Sequence, residues 1–250
     1  MRRRLLTGLA LGVLIALPVS AQTVDDLIAK NLQAKGGLQK LKAVQAARLT
    51  GTMTVGPGME APFVLEFKRP NQMRLDFTLQ GMTGTQAYDG KTGWMLMPFS
   101  GRKDPEPMPT EALKQAEEQA DFDGPLVDYQ AKGNKVELVG KEKVEGSDAY
   151  KLKVTLKNGD IRYIYLDADQ YLEIKVEGKT TIRGSEVENS TSIGDYKEVG
   201  GLMLPYAMET TQAGSPQSQK MTIEKIELNV PIDDARFKMP EVKKEEPKKH

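Results

Sequence analysis

From Arg48 onward, apolar side chains return at every second position, and this period constrains the chain more than any other feature. Leu49, Gly51, Met53 and Val55 alternate with Thr50, Thr52 and Thr54. Phe63, Leu65 and Phe67 alternate with Val64, Glu66 and Lys68, and Met73, Leu75, Phe77 and Leu79 alternate with Arg74, Asp76 and Thr78. Such strands have one dry and one wet face. Pro57-Gly58, Pro70-Asn71 and Asp89-Gly90 punctuate the runs with turn chemistry, and Asn158-Gly159 is a strong hairpin signal. Short connections imply antiparallel pairing. Roughly ten or eleven strands are expected, too many for a flat sheet without strong twist or curling. The fold class is α+β, mainly antiparallel β.

Two stretches break the rhythm. Residues 23–45 carry Val24, Leu27, Ile28 and Leu32 on one helical stripe, with Thr23 as a cap and Asp25 and Asp26 at the positive end. Gly36-Gly37 should stop or bend this helix, and Leu38, Leu41 and Val44 continue a shorter apolar face. Residues 101–129 read as a stiff loop through Pro105, Pro107 and Pro109, then a short helix capped by Thr110 and running through Gln119. Leu113 and Ala116 lie on its dry side, and Phe122 and Leu126 follow. A long interruption inside a meander is more often functional than accidental, so this segment is the candidate lid.

The termini suggest a compartment. Arg2, Arg3 and Arg4 precede an apolar run over residues 5–17, ended by Pro18, with Val19-Ser20-Ala21 at cleavage-compatible positions. Residues 1–21 are therefore expected to be a secretory signal peptide cut after Ala21, leaving a soluble exported chain. Residues 22–240 form the expected domain. Residues 241–250 hold Val242 as their one apolar residue and read as a disordered charged tail. Without cysteine, the chain has no disulfide, no thiolate ligand and no site for N-terminal lipidation.

Charge and residue inventory exclude whole classes of function. The 35 basic and 35 acidic residues become 32 against 35, a net of −3, once the leader arginines are removed. That is no nucleic-acid footprint. The single histidine is His250, so histidine-based acid–base chemistry, a triad or a histidine metal cluster has no residues. Asp167 and Asp169 read as a turn, and Glu186 and Glu188 as the wet face of a strand. There is no nucleophile elbow, P-loop or dinucleotide fingerprint. No enzyme and no cofactor are expected. The chain instead spreads methionines over its strands, among them Met53, Met73, Met95, Met97, Met203, Met208 and Met221. Methionine is flexible and polarizable, and suits a lining that must accept varied apolar shapes.

Two strings, FKRPNQMRLDF at 67–77 and YDGKTGWMLMPF at 88–99, resemble the LolA-like family of periplasmic outer-membrane lipoprotein-sorting proteins. Lys68, Arg69, Pro70 and Asn71 match its early turn. Asp89, Gly90, Lys91, Trp94, Pro98 and Phe99 match its second turn and tryptophan strand. Phe237 and Pro240 look like its closing segment, and residues 195–210 are similar to the wider group of sorting homologues. The resemblance implies an open half-barrel that wraps acyl chains beneath helices covering its mouth. It implies a carrier of acylated lipoproteins or lipids, with an inner-membrane donor complex and an outer-membrane acceptor as partners. A lipid- or lipoprotein-sensing module on the same fold is the alternative. Alternation and resemblance together nominate Met53, Phe67, Met73, Leu75, Phe77, Trp94, Leu96, Leu152 and Val154 as acyl-cavity positions. The register around Trp94 stays open, because Met95 and Met97 are equally apolar. Arg69 matches the family's lid clamp, which hydrogen-bonds lid backbone. Leu113, Ala116 and Phe122 are the lid contacts.

Overall fold

In the computed structural model, which describes residues 22–182 and 185–241, the first helix begins with a reciprocal cap. The Thr23 hydroxyl accepts from the Asp26 amide, and the Asp26 carboxylate accepts from the Thr23 amide, both at 3.2 Å. This helix, α1 (Val24–Ala34), buries Leu27 and Ile28. At Gly36 and Gly37 the chain turns into α2 (Leu38–Ala43). The turn needs glycine at position 36 for two reasons. Its φ is +107°, and a Cβ there would lie 2.1 Å from the Gly201 carbonyl oxygen.

The strands follow as β1 (Ala46–Gly56), β2 (Met59–Lys68), β3 (Gln72–Leu79), β4 (Met82–Tyr88), β5 (Gly93–Met97) and β6 (Arg102–Pro107). Helix α3 (Thr110–Gln119) comes next. Then come β7 (Lys135–Val144), β8 (Ser147–Thr155), β9 (Ile161–Asp167), β10 (Glu173–Ile182) and β11 (Ser185–Gly194). The chain ends with the hairpin β12 (Lys197–Val199) and β13 (Leu202–Leu204), then β14 (Ala207–Gln212) and β15 (Ser218–Leu228). Thirteen strands form one sheet in the order β6-β5-β4-β3-β2-β1-β15-β14-β11-β10-β9-β8-β7, and β12-β13 stands apart. Every pairing is antiparallel.

The strand number exceeds the expected ten or eleven, and two of the reasons are local. The proline-rich approach to α3 is not a loop. Its residues 102–107 pair with β5, and Pro105 and Pro107 are tolerated because β6 is an edge strand whose outer side needs no donors. Pro205 splits one expected run into β13 and β14. The cap of α3 also differs from expectation. Pro109 occupies the N-cap without a side-chain hydrogen bond, and Thr110 is the first helical residue.

Two meanders, β1–β6 and β7–β11, are joined through β14 and β15, with β15 beside β1. The edges β6 and β7 do not pair with each other. The sheet is therefore an open half-barrel, and the segment linking its two edges is α3 with residues 120–134. On the concave side α1 packs through Leu27 and Ile28 on Tyr150, Leu152 and Val154, and α2 packs through Leu41 on Leu49 and Phe63. On the convex side the C-terminal segment lays Ile232 and Phe237 against Ala46. The expected signal peptide and most of the charged tail lie outside the described residues. Among those described, no helix is long and apolar enough to cross a membrane.

Gly36→Ala is expected to lower unfolding stability by on the order of 2–3 kcal/mol, because the left-handed backbone and the Gly201 carbonyl are both incompatible with a methyl group. Urea denaturation monitored by circular dichroism measures it. An unchanged midpoint would mean that the α1–α2 turn moves freely off the β12–β13 hairpin.

Candidate functional site

Register defines the concave face. Across β1, β2 and β3 the chain aligns Leu49 with Leu65 and Leu75, Gly51 with Phe63 and Phe77, and Ala47 with Phe67 and Met73. Met53 faces Met221 of β15. These side chains join one continuous apolar surface that extends to Met97, Phe99, Met208 and Met221. The rings of Phe77 and Phe99 are 5.5 Å apart. Of the expected cavity positions, Met53, Phe67, Met73, Leu75 and Phe77 lie on this concave surface. Leu152 and Val154 face the same side but are completely covered, packed with Leu27 and Leu126.

Trp94 and Leu96 do not belong to the interior. Trp94 pairs with Ala87 and Leu96 with Thr85, on the opposite face from Tyr88 and Gln86. The Trp94 indole donates to the Phe237 carbonyl at 2.8 Å, and the Arg74 guanidinium lies 5.5 Å from its ring. Met95 and Met97 face inward in its place. Both alternating sets in β5 are apolar, so periodicity could not choose between them. The C-terminal segment chooses, by giving the indole N–H an acceptor on the convex side.

The segment crossing between the sheet edges covers the concave surface. Leu113, Ala116 and Ala120 pack with Met73 and Tyr88. Phe122 sits against Phe67, with ring centroids 5.7 Å apart. Polar contacts hold both ends of this cover. Arg69 donates from Nε to the Val44 carbonyl at 2.6 Å and from Nη2 to the Leu41 carbonyl at 3.0 Å. Its other contacts form a fork on the Asp123 carboxylate at 2.9 and 2.6 Å. The family resemblance implied a hydrogen bond to lid backbone. Here the carbonyls belong to α2 and its C-cap residue, and the segment beyond α3 is held by the Asp123 side chain. Lys42 adds a contact to Asp123 at 2.7 Å and one to Asp128 at 2.8 Å. At the far end, Arg162 of β9 makes a fork with Glu118 of α3 at 2.9 and 2.7 Å, and Lys114 pairs with Asp160 at 2.7 Å.

Asp123 is only 5% exposed. Burial alone would raise its pKa, but hydrogen bonds and charge from Arg69 and Lys42 prevail and hold it at about 2. The same carboxylate raises the pKa of Lys42.

Beneath the polar side of α3 lies a cleft of about 980 Å³. Thr110, Lys114, Gln115 and Glu118 form its roof, and Arg162, Gly178 and Asn189 belong to its floor on β9, β10 and β11; Glu111, Asp160, Glu177, Glu186 and Glu188 also line it, and its cations are Arg162, Lys114 and Lys179. None of the expected cavity residues lines it. The concave face therefore has two halves: an apolar half packed under α2 and the α3 segment, and a polar half with space. Asp123, Glu118 and Arg162 were not anticipated. Asp123 gave no signal, since an aspartate in Asp121-Phe122-Asp123-Gly124 reads as turn chemistry. Arg162 did give one: it shares the alternation of Ile164 and Leu166, a cation on a dry face. Among the described residues no three acidic or histidine side chains group so as to hold a metal ion.

No protein-family model and no curated protein sequence matches the chain. Solved structures do. A LolA superfamily protein from Nitrosomonas europaea aligns at TM-score 0.58 and 13% identity, over 84% of this chain and 96% of that one. The chain has the LolA-like fold. A DUF1329 family protein from Desulfovibrio piger aligns at TM-score 0.57 and 13% identity, over 87% of this chain and 98% of that one. A structure from Vibrio parahaemolyticus, described as an outer membrane lipoprotein-sorting protein domain, aligns at 0.56 and 13%, over 84% and 97%. The feature shared with the LolA-like fold is the open antiparallel sheet with few helices.

Because the closed form holds Asp123 below its ordinary value of 3.8, its contribution is complete above pH 4 and is lost as pH falls through about 2. The difference is worth about 2 kcal/mol. Amide hydrogen exchange across residues 110–126 should therefore accelerate between pH 4 and pH 2, after correction for intrinsic rates. Arg69→Leu should produce at least a tenfold loss of protection in the same segment at pH 7, where the wild type stays closed. Protection unchanged in both experiments would separate the Arg69–Asp123 fork from closure.

Proposed function

We propose that this protein is a non-enzymatic, soluble periplasmic carrier that binds the acyl chains of lipoproteins or lipids for transfer towards the outer membrane. One observation carries the reading. A wide apolar surface of aromatic and methionine side chains is covered by a connection fastened at its ends through polar and ionic contacts, rather than sealed into a closed barrel. An apolar ligand replaces contacts that Phe122, Leu113 and Ala116 make in the closed form, so little hydrophobic contact is lost on exchange. Each buried methylene contributes about 0.8 kcal/mol, and a sixteen-carbon chain gains on the order of 12 kcal/mol at most, ample against the covers to be displaced. Met53, Met97, Met208 and Met221 let one surface fit chains of different length and branching.

A shuttle needs a donor and an acceptor. The partners proposed are an inner-membrane complex that loads the carrier and an outer-membrane receptor that unloads it. The leader supports export, with maturation at Gln22.

Mass spectrometry of organic extracts from protein purified natively from the periplasm should find acyl-bearing lipid or acylated protein in stoichiometric amount. Osmotic-shock fractionation should recover a chain beginning at Gln22. A lipid-free protein that also fails to bind added acyl ligands would remove the carrier reading, and recovery in the membrane pellet with the leader attached would remove the shuttle.

A further inference from the structure

Arg162 stands out by its position. It pairs with Val154 and Gly178, on the same side of the sheet as Ile164 and Leu166, and so points towards the concave interior. The other inward positions on the neighbouring strands carry neutral side chains such as Val176, Asn189, Thr191 and Met208. Apart from Glu173, which pairs with Lys35 at the far end of β10, Arg162 is the one charged residue at the described inward positions of β9, β10, β11 and β14. Its side chain is 14% exposed. The sheet is shaped to hold it there. A Cβ on Gly178 would lie 2.7 Å from Arg162 Cδ and 3.2 Å from Nε, so the glycine provides the bed on which the guanidinium rests. Nη1 donates to the Ile161 carbonyl at 3.1 Å. The remaining edge, Nε and Nη2, faces the cleft and is filled by the Glu118 carboxylate.

Glu118 sits on α3, the element that must lift for the interior to open. Lifting removes Glu118 and Lys114 together and leaves Arg162 on the sheet without its anion. A partly buried cation that loses its partner is costly, and a bidentate guanidinium edge selects a planar or tetrahedral oxyanion. We infer that Arg162 is the receptor for the anionic headgroup of a bound amphiphile, with Glu118 as the built-in anion that the headgroup displaces. This rests on the carrier reading and specifies its cargo: an acyl chain on the apolar half of the concave face, with a phosphate or carboxylate group in the cleft beneath α3. Displacement of Glu118 couples headgroup capture to lid opening, since the same two donors cannot serve both anions.

Calorimetric titration of the full mature chain with dodecyl phosphate, dodecanol and inorganic phosphate tests the assignment. Dodecyl phosphate should bind at least tenfold more tightly than dodecanol, and inorganic phosphate should not compete at equal concentration. Arg162→Gln should abolish the preference; because it also frees the Glu118 latch, dodecanol affinity should stay the same or rise, and an unchanged circular dichroism spectrum verifies its folding. Arg162→Lys should restore part of the preference. Glu118→Gln, which keeps the helix and removes the competing charge, should tighten dodecyl phosphate several-fold. Equal affinities for dodecyl phosphate and dodecanol in the wild type would overturn the headgroup assignment and leave the carrier reading standing. Competition by inorganic phosphate as effective as that by dodecyl phosphate would overturn the amphiphile. A wild type that binds neither dodecyl ligand would overturn both.

Discussion

A concave apolar surface without a closing strand is the constraint to which the rest of this structure answers. The sheet holds thirteen strands, yet β6 and β7 remain unpaired edges. A closed barrel would hide its lining by geometry. Here the lining from Met53 through Phe77 to Met221 must be hidden by something else, because an exposed apolar patch of that extent drives association. The chain supplies the cover twice. The N-terminal helices lie over one part, and the connection from edge to edge lies over another. That connection has no other route: it leaves β6, must reach β7, and so crosses the open side.

The cover is held in a way that differs from the core beneath it. Helix α3 buries small and slender side chains, and its stripe of Leu113, Ala116 and Ala120 is short. Its remaining hold is ionic, through Arg162 and Lys114 at one end and Arg69 with Lys42 at the other. Arg69 is the more economical device, because one guanidinium joins α2, the end of β2 and the segment after α3. Five fixed donors make that possible where a lysine could not. The convex side uses the same chemistry for permanence. Glu66, 1% exposed, lies between Arg48 and Arg236, and Arg236 and Arg74 share Asp76. Removing one member there would strand a buried charge, as it would at Asp123, so buried carboxylates anchor both the C-terminal segment and the crossing segment.

Much of the fold was legible in the sequence because its signals are local. The alternation of Leu49, Gly51, Met53 and Val55 marked β1 and its dry face. Thr23 and Asp26 marked the start of α1, and Gly36-Gly37 marked its end. What was not legible involved residues with two acceptable environments. Proline at 105 and 107 reads as a loop breaker unless the strand is an edge, and edge status depends on where the other strands go. Arg162 on a dry face was visible as a pattern, but its meaning needs Glu118, which lies 44 positions earlier.

Most of the secondary structure, the antiparallel class, the apolar lining of the early strands and the existence of a long crossing segment could be read along the chain. Period, turn chemistry and capping act over a few residues and need no partner. Long-range packing chose which face of β5 carries Trp94, what Arg69 holds, and that the space in the interior lies at its polar half. Those outcomes depend on contacts between distant segments, such as the bond from Trp94 to Phe237 across 143 positions. Where both faces of a strand are apolar, local periodicity is degenerate, and the choice falls to whichever distant group satisfies the buried polar atom.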